Sequence, residues 1–315
     1  MDELRFDGKV AIVTGAGGNP GLGRSYAMSL AERGARVVVN DLGSGPDGRG
    51  TLRARADAVA DEIVAAGGEA IADTNSVAME SSAKAVVTTA IDAWGRVDIL
   101  INNAGVFHAT SFEEVSASDL TKIVQVHLFG NIWMCRAVLP FMKQQSYGRI
   151  VNISSSATFG APYQVVYGAA KAGIFGLTRG LAGETREFGV AVNAFDPVAH
   201  TASIDHLFEE LSVPGLDDSE LDPDLVAPAV IYLAHERCPF SGKFISSGAR
   251  HTSEFYIGKT AGYYSTSTTA EDIGDNFDKV LDREGALVLP DPGTVPPGAV
   301  FKPKPYRADA TTVGS

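Results

Sequence analysis

Three short patterns near the start of the chain narrow the fold more than anything else in it. Val10 to Val13 is a largely β-branched run; it passes into Thr14-Gly15-Ala16-Gly17-Gly18-Asn19-Pro20-Gly21-Leu22-Gly23, and Arg24 to Arg33 has helical spacing. The order is strand, glycine-rich turn, helix. Glycines let the backbone turn tightly and approach a pyrophosphate, whose charge then rests on the free N–H groups of the helix start. A second strand, Arg36 to Asn40, ends at Asp41. This is roughly ~20 residues beyond the glycines, where an acid can take the two ribose hydroxyls of an adenosine. The alternative for Asp41 is a solvated strand end. A 2′-phosphate would meet a like charge at Asp41, and no Arg or Lys follows Gly15 or Asp41, so the reading is NAD rather than NADP.

The alternation continues. Thr51 to Ala66 reads as a helix stopped by Gly67-Gly68, Glu69 to Asp73 as a third strand, Met79 to Trp94 as a helix, and Arg96 to Ile101 as a fourth strand running into Asn102-Asn103-Ala104-Gly105. Ser116 and Asp119 look like the start of a long helix through Met142, with Pro140 near its end. Arg149 to Ser154 is a fifth strand, Tyr163 to Phe188 a helix, Val190 to Phe195 a sixth strand, Pro223 to His235 a helix, and Gly242 to Ser246 a last strand. This pattern predicts an α/β fold: a doubly wound parallel sheet of Rossmann type with helices on both faces and a C-terminal extension, its ligands at the carboxyl ends of the strands. The expected division is a domain over residues 1–246 and an extension over 247–315. Gly43 to Gly50 reads as a flexible loop, about 200–222 as either a substrate lid or a solvated connector, Thr269 to Asp282 as helical, and Pro290 to Ser315 as an extended tail.

Composition limits the partners. A net charge of −12 argues against nucleic acid or an anionic membrane surface, both of which need clustered Lys and Arg. No stretch approaches ~20 consecutive apolar residues, and MDELRFDGKV carries no apolar run, so neither a span nor a targeting peptide is expected. Cytoplasmic residence follows as an expectation. Cys135 and Cys238 stand far apart with no ligand-like spacing, so neither a disulfide nor a metal site is expected.

The chemistry is concentrated in YQVVYGAAK, residues 163–171. On a helix, Tyr167 and Lys171 share one face, and a cation beside a phenol favours its ionised form. Ser154-Ser155-Ser156, at the end of the fifth strand, could supply a hydroxyl to the reacting oxygen. His127, in VHLFGN, reads either as a structural histidine or as a supporting catalytic one. Gly168, Gly173, Gly176 and Gly180 would let a partner helix approach, which suggests a homodimer or homotetramer; the alternative is a helix packed only on its own sheet.

With the glycine turn, the NNAG segment, the serines and Tyr167-x-x-x-Lys171 in this order, the chain resembles the short-chain dehydrogenase/reductases over about residues 6 to 246. GLGRSYA, VVVNDLG, VHLFGN and FISSGARHTSEFYIGK are similar to the (3R)-hydroxyacyl-CoA dehydrogenase branch, found in peroxisomal multifunctional β-oxidation enzymes and in bacterial stand-alone relatives. The resemblance implies that Tyr167 is the general acid/base, that Lys171 binds the nicotinamide ribose and lowers the phenol pKa, and that a serine holds the substrate oxygen. Counting along the strand selects Ser155; counting back from Tyr167 selects Ser154; Ser155 is preferred because strand register is harder to shift than a loop. The expected NAD contacts are Gly15, Gly17, Gly21, Leu22, Gly23, Asp41, Leu42, Asn75, Ser76, Asn103, Ala104, Gly105, Tyr167, Lys171 and Pro197. The chain departs from the family pattern in two extra residues at Asn19-Pro20, in His127 where many members carry Asn, and in Val198 where glycine is usual. The implied substrate is a small molecule, a 3-hydroxyacyl-CoA. The alternatives are a hydroxysteroid or steroid-derived acyl-CoA, an NADP-linked reductase, or a catalytically silent dinucleotide-binding subunit.

Overall fold

The computed structural model describes residues 2–44, 52–107, 109–201, 218–266 and 268–292. These fall into two compact units divided between Glu254 and Phe255. In the first unit the chain alternates as the sequence predicts: β1 (Val10–Thr14), α1 (Leu22–Glu32), β2 (Arg36–Asn40), α2 (Ala54–Ala65), β3 (Glu69–Asp73), α3 (Glu80–Trp94) and β4 (Ile99–Asn102). Then follow α4 (Ala117–Val124), a π-helical turn (Gln125–Phe129), α5 (Gly130–Gln145), β5 (Gly148–Ile153), α6 (Val165–Thr185), β6 (Val190–Val198), α7 (Pro223–Ala234), β7 (Phe244–Gly248) and β8 (His251–Phe255).

The strands form one sheet in the order β3-β2-β1-β4-β5-β6-β7-β8, parallel from β3 through β7. The chain winds outward from β1 to β3 and then restarts on the other side of β1 at β4, so the β1/β4 gap is the switch point at which such sheets open a crevice. Both faces are covered, which is why the strands read as continuous apolar runs rather than alternating ones. Ala11, Val13, Val37, Val39, Ile99, Ile101, Val151 and Phe195 pack on one side with Leu30, Val59, Ile63 and Val230 from α1, α2 and α7. Val10, Ile12, Val38, Leu100, Ile150 and Val192 pack on the other with Val86, Met134, Val138 and Ala182 from α3, α5 and α6. Burying a side chain such as these contributes ~1.5–3 kcal/mol.

Several boundaries differ from the sequence reading for local reasons. Ser116 does cap α4, its hydroxyl accepting from the Asp119 amide at 3.1 Å. The expected single helix through Met142 is instead interrupted by the π turn that carries His127, and it runs on to Gln145 with Pro140 inside it. The helix expected from Tyr163 begins at Val165, because Tyr163 takes a left-handed backbone with φ 63°. Strand β6 extends to Val198, paired with Gly248. Nor is β7 the last strand: Ala249 and Arg250, at φ 47° and 62°, turn the chain back into β8. A two-residue hairpin turn of this hand normally advertises itself through Gly or Asn, and neither is present.

The second unit has a two-stranded antiparallel ladder, β9 (Gly258–Lys259) with β10 (Leu287–Val288), and two short helices, α8 (Ala270–Asp275) and α9 (Phe277–Leu281). Residues 45–50 of the loop, 202–217 of the expected lid and the tail beyond 292 lie outside the described residues. Among the described residues no helix is long and apolar enough to cross a membrane, and no group of His, Cys, Asp or Glu could hold a metal ion.

Candidate active site

The carboxyl ends of β1 and β4 are clamped together. Thr14 Oγ1 accepts from the amides of Asn103 and Ala104, both at 3.0 Å, and Asn103 Nδ2 donates to the carbonyls of Thr14 and Gly15, both at 3.0 Å. Asn103 thus holds the glycine turn with its side chain. The turn has room for no side chain: Gly15 sits at φ +65°, and a Cβ there would lie 2.7 Å from Ala104 Cα. A Cβ on Gly23 would strike the Gly15 carbonyl and come 2.6 Å from Asn103 Nδ2. Gly21, the N-cap of α1, brings no side-chain acceptor to the first turn of the helix. Tight backbone, uncapped helix start and absent Cβ atoms together form a cradle that suits a pyrophosphate.

Asp41 stands at the rim of that cradle. Its carboxylate accepts from the Gly17 and Gly43 amides, each at 2.7 Å. A Cβ on Gly17 would come within 2.9 Å of Asp41 Cγ and 2.8 Å of Arg55 Cβ. Arg55 thus packs its Cβ beside Gly17, a neighbour that no reading of adjacent sequence positions finds, while its Nη1 donates to the Ser44 carbonyl at 2.8 Å. Leu42 follows Asp41, half-buried. Asn75 is tied to Asp73 through its amide at 2.9 Å and its Nδ2 at 2.8 Å, and the Ser76 hydroxyl accepts from Ala78 at 3.2 Å. Those two residues lie beyond β3, two strands from the cradle.

Further along the same sheet edge lie Ser155, Tyr167 and Lys171. Ser155, in extended backbone at the end of β5, accepts from the Ala157 amide at 3.2 Å and is the hydrogen-bonding neighbour of the Tyr167 phenol. Ser154 points elsewhere, donating to the Lys171 carbonyl at 3.0 Å. Lys171 is buried, its Nζ 5.5 Å from the Tyr167 ring centroid and donating to the Ile153 carbonyl at 2.7 Å. The expected lowering of the phenol by its lysine neighbour is not what dominates in the protein alone. Burial pushes Tyr167 up to about 12, opposed by the Ser155 hydrogen bond, while burial brings Lys171 down to about 7.

His127 faces the same tyrosine. Its ring stands edge-on to the phenol, its Nε2 lies 2.7 Å from the Val106 carbonyl, and its Nδ1 is buried without a partner. Burial first, and then Lys171, bring its pKa down to about 3, so the imidazole is neutral. Gly105 is required here, since a Cβ would lie 2.6 Å from the imidazole Cε1. Pro197, half-buried in β6, pairs with Ser247. Beside Tyr167 opens a cleft lined by Thr110, Phe112, Val115, Ile123 and Tyr163.

This assembly is matched by the family model described as short chain dehydrogenase, over residues 9–208. The chain belongs to the short-chain dehydrogenase family. A nicotinamide cofactor and oxidoreduction at a CH–OH group come with that membership. A peroxisomal multifunctional enzyme type 2 of Drosophila melanogaster is 45% identical over 293 residues, covering 91% of this chain and 47% of that protein. Its Mus musculus counterpart is 40% identical over 288 residues, covering 90% and 38%. The chain therefore spans about half or less of those relatives. A solved short chain dehydrogenase from Mycobacterium avium is 32% identical with a TM-score of 0.76, covering 90% of this chain and 97% of that one. Besides Arg55, two residues of this short-chain dehydrogenase escaped the sequence reading. Thr14 was visible only as the first residue of the glycine turn; Asp196 carried a signal, an acid just before Pro197 at the end of a mostly apolar parallel strand.

Proposed function

We propose that this chain is an NAD-dependent dehydrogenase of a secondary alcohol carried on a 3-hydroxyacyl-CoA. The observation that carries the reading is the meeting of Ser155, Tyr167 and buried Lys171 on the sheet edge that also bears the glycine cradle. The acyl-CoA class is supported by the multifunctional relatives. NAD is favoured by the Asp41 carboxylate at the cradle rim, which repels a 2′-phosphate.

The cradle at Gly15, Gly17 and Gly21 to Gly23, with Asp41 and Lys171, would hold the dinucleotide, whose nicotinamide supplies or accepts the hydride. The chain supplies placement and proton transfer. Ser155 holds the substrate oxygen, and Tyr167 exchanges a proton with it. Lys171 stabilises the phenolate while it lasts. At neutral pH the phenol is protonated, so it is ready to donate in ketone reduction; alcohol oxidation first needs the phenol to lose that proton.

The test follows absorbance of the reduced nicotinamide across a panel of 3-hydroxyacyl-CoA thioesters and steroid alcohols. Acyl-CoA turnover is expected with the wild type, and a loss of about 10²–10⁴-fold in kcat with Tyr167→Phe at unchanged cofactor binding. Full turnover by that variant, or none by the wild type on any thioester, would sink the assignment.

A further inference from the structure

Among the described residues, Asp196 is a buried ionisable group at this sheet edge that the chemistry above leaves without a task. It lies in β6, 2% exposed, opposite Ser246 of β7. The Ser154 amide donates to the Phe195 carbonyl at 2.6 Å, and the Ser156 amide donates to Asp196 Oδ1 at 2.8 Å. Both neighbours of Ser155 are thus pinned to consecutive residues of one strand. Asp196 Oδ2 takes the Ser246 hydroxyl at 2.8 Å.

A pin of this kind needs only an acceptor, which an amide would provide without burying a charge. Burial does raise the Asp196 pKa, against Ser246, Ser156 and Lys171, which hold it down. The charge has a target. Lys171 Nζ donates to the Ile153 carbonyl, and Ile153 pairs with Phe195, the residue before Asp196; burial drags Lys171 toward its neutral form, and Asp196 opposes this. From the π turn, neutral His127 faces Lys171 and brings no negative charge. The buried phenols of Tyr26, on α1, and of Tyr167, on α6, also feel the carboxylate, and burial keeps both protonated.

We propose that Asp196 is a positioning residue of the active site, a buried carboxylate that pins the Ser155 turn and favours the ammonium form of its neighbour Lys171. This rests on the Tyr167–Lys171 reading above. Asp196→Asn keeps the shape and the acceptor but removes the charge. In cofactor-free protein carrying ¹³C-labelled lysine, with the Lys171 resonance identified by its loss in Lys171→Ala, the Asn variant is expected to titrate at lower pH by about one unit. The alkaline limb of kcat/KM moves down with it, and kcat at pH 8 falls about tenfold while the KM for NAD changes little. An unmoved Lys171 titration with an unmoved limb overturns the proposal, whatever happens to the amplitude.

Should Asp196→Asn fail to fold, Ser246→Ala retains the charge and removes one of its two donors. The Lys171 titration then stays at its wild-type pH, and a move to lower pH with the carboxylate intact counts against the proposal. Tyr167→Phe, run alongside, separates the two readings. Its full activity would overturn the proposed reaction, while the Lys171 titration would still report on Asp196.

Discussion

The Tyr167 phenol stands edge-on to the His127 imidazole, ring centroids 5.1 Å apart and planes at 90°. The imidazole is buried there, and burial, followed by the nearby Lys171, holds it neutral with a folded-state pKa of about 3 against an ordinary 6.5. Between those values the unfolded chain binds a proton that the folded protein refuses, so stability is lost as pH falls from about 6.5 toward 3. The slope from this one group is on the order of 1.4 kcal/mol per pH unit. Denaturant unfolding at pH 5 and pH 7 should show it in the wild type, and the difference should shrink in His127→Asn, which has nothing to titrate. Equal pH dependence in both proteins would remove His127 from the account.

The two serines should separate cleanly. Ser155 neighbours the phenol, whereas Ser154 is buried and donates to the Lys171 carbonyl at 3.0 Å. Ser155→Ala is expected to lower kcat about 10²–10³-fold with melting nearly unchanged. Ser154→Ala should cost about 1 kcal/mol of stability while keeping kcat within a few-fold. Steady-state kinetics with thermal melts on both variants decides it; the opposite pattern would transfer the role to Ser154.

Cofactor choice should turn on Asp41. The carboxylate is fixed by the Gly17 and Gly43 amides. Asp41→Ala should weaken NAD binding at least about tenfold, the cost of losing a charged hydrogen-bonding group. It should also improve NADP binding, because the like charge that meets a 2′-phosphate is removed. Fluorescence titrations with both reduced cofactors measure this, and an unchanged NADH to NADPH ratio would show that the carboxylate plays no part in the preference.

Much of the framework was readable along the chain because its causes are local. Val10 to Val13 can only be a strand buried on both faces, and the glycines after it mark backbone that admits no Cβ. Tyr167 and Lys171 share a helix, so their proximity followed from spacing alone. The β8 hairpin was not readable: Ala249 and Arg250 hold left-handed conformations that their side chains do not announce.

What the tertiary structure alone decided is which side chains face one another across segments distant in sequence. Ser155 rather than Ser154 meets the phenol because the Ser154 amide is spent on Phe195 and the Ser156 amide on Asp196, a contact spanning 40 positions. Arg55 reaches the side of Gly17 only after α2 has folded back against β2 and β3, and the π turn in mid-helix aims His127 at Tyr167. Periodicity constrains a segment's own face and hydrogen bonds. Register between strands, and the burial that shifts a proton, exist only once those segments have packed together.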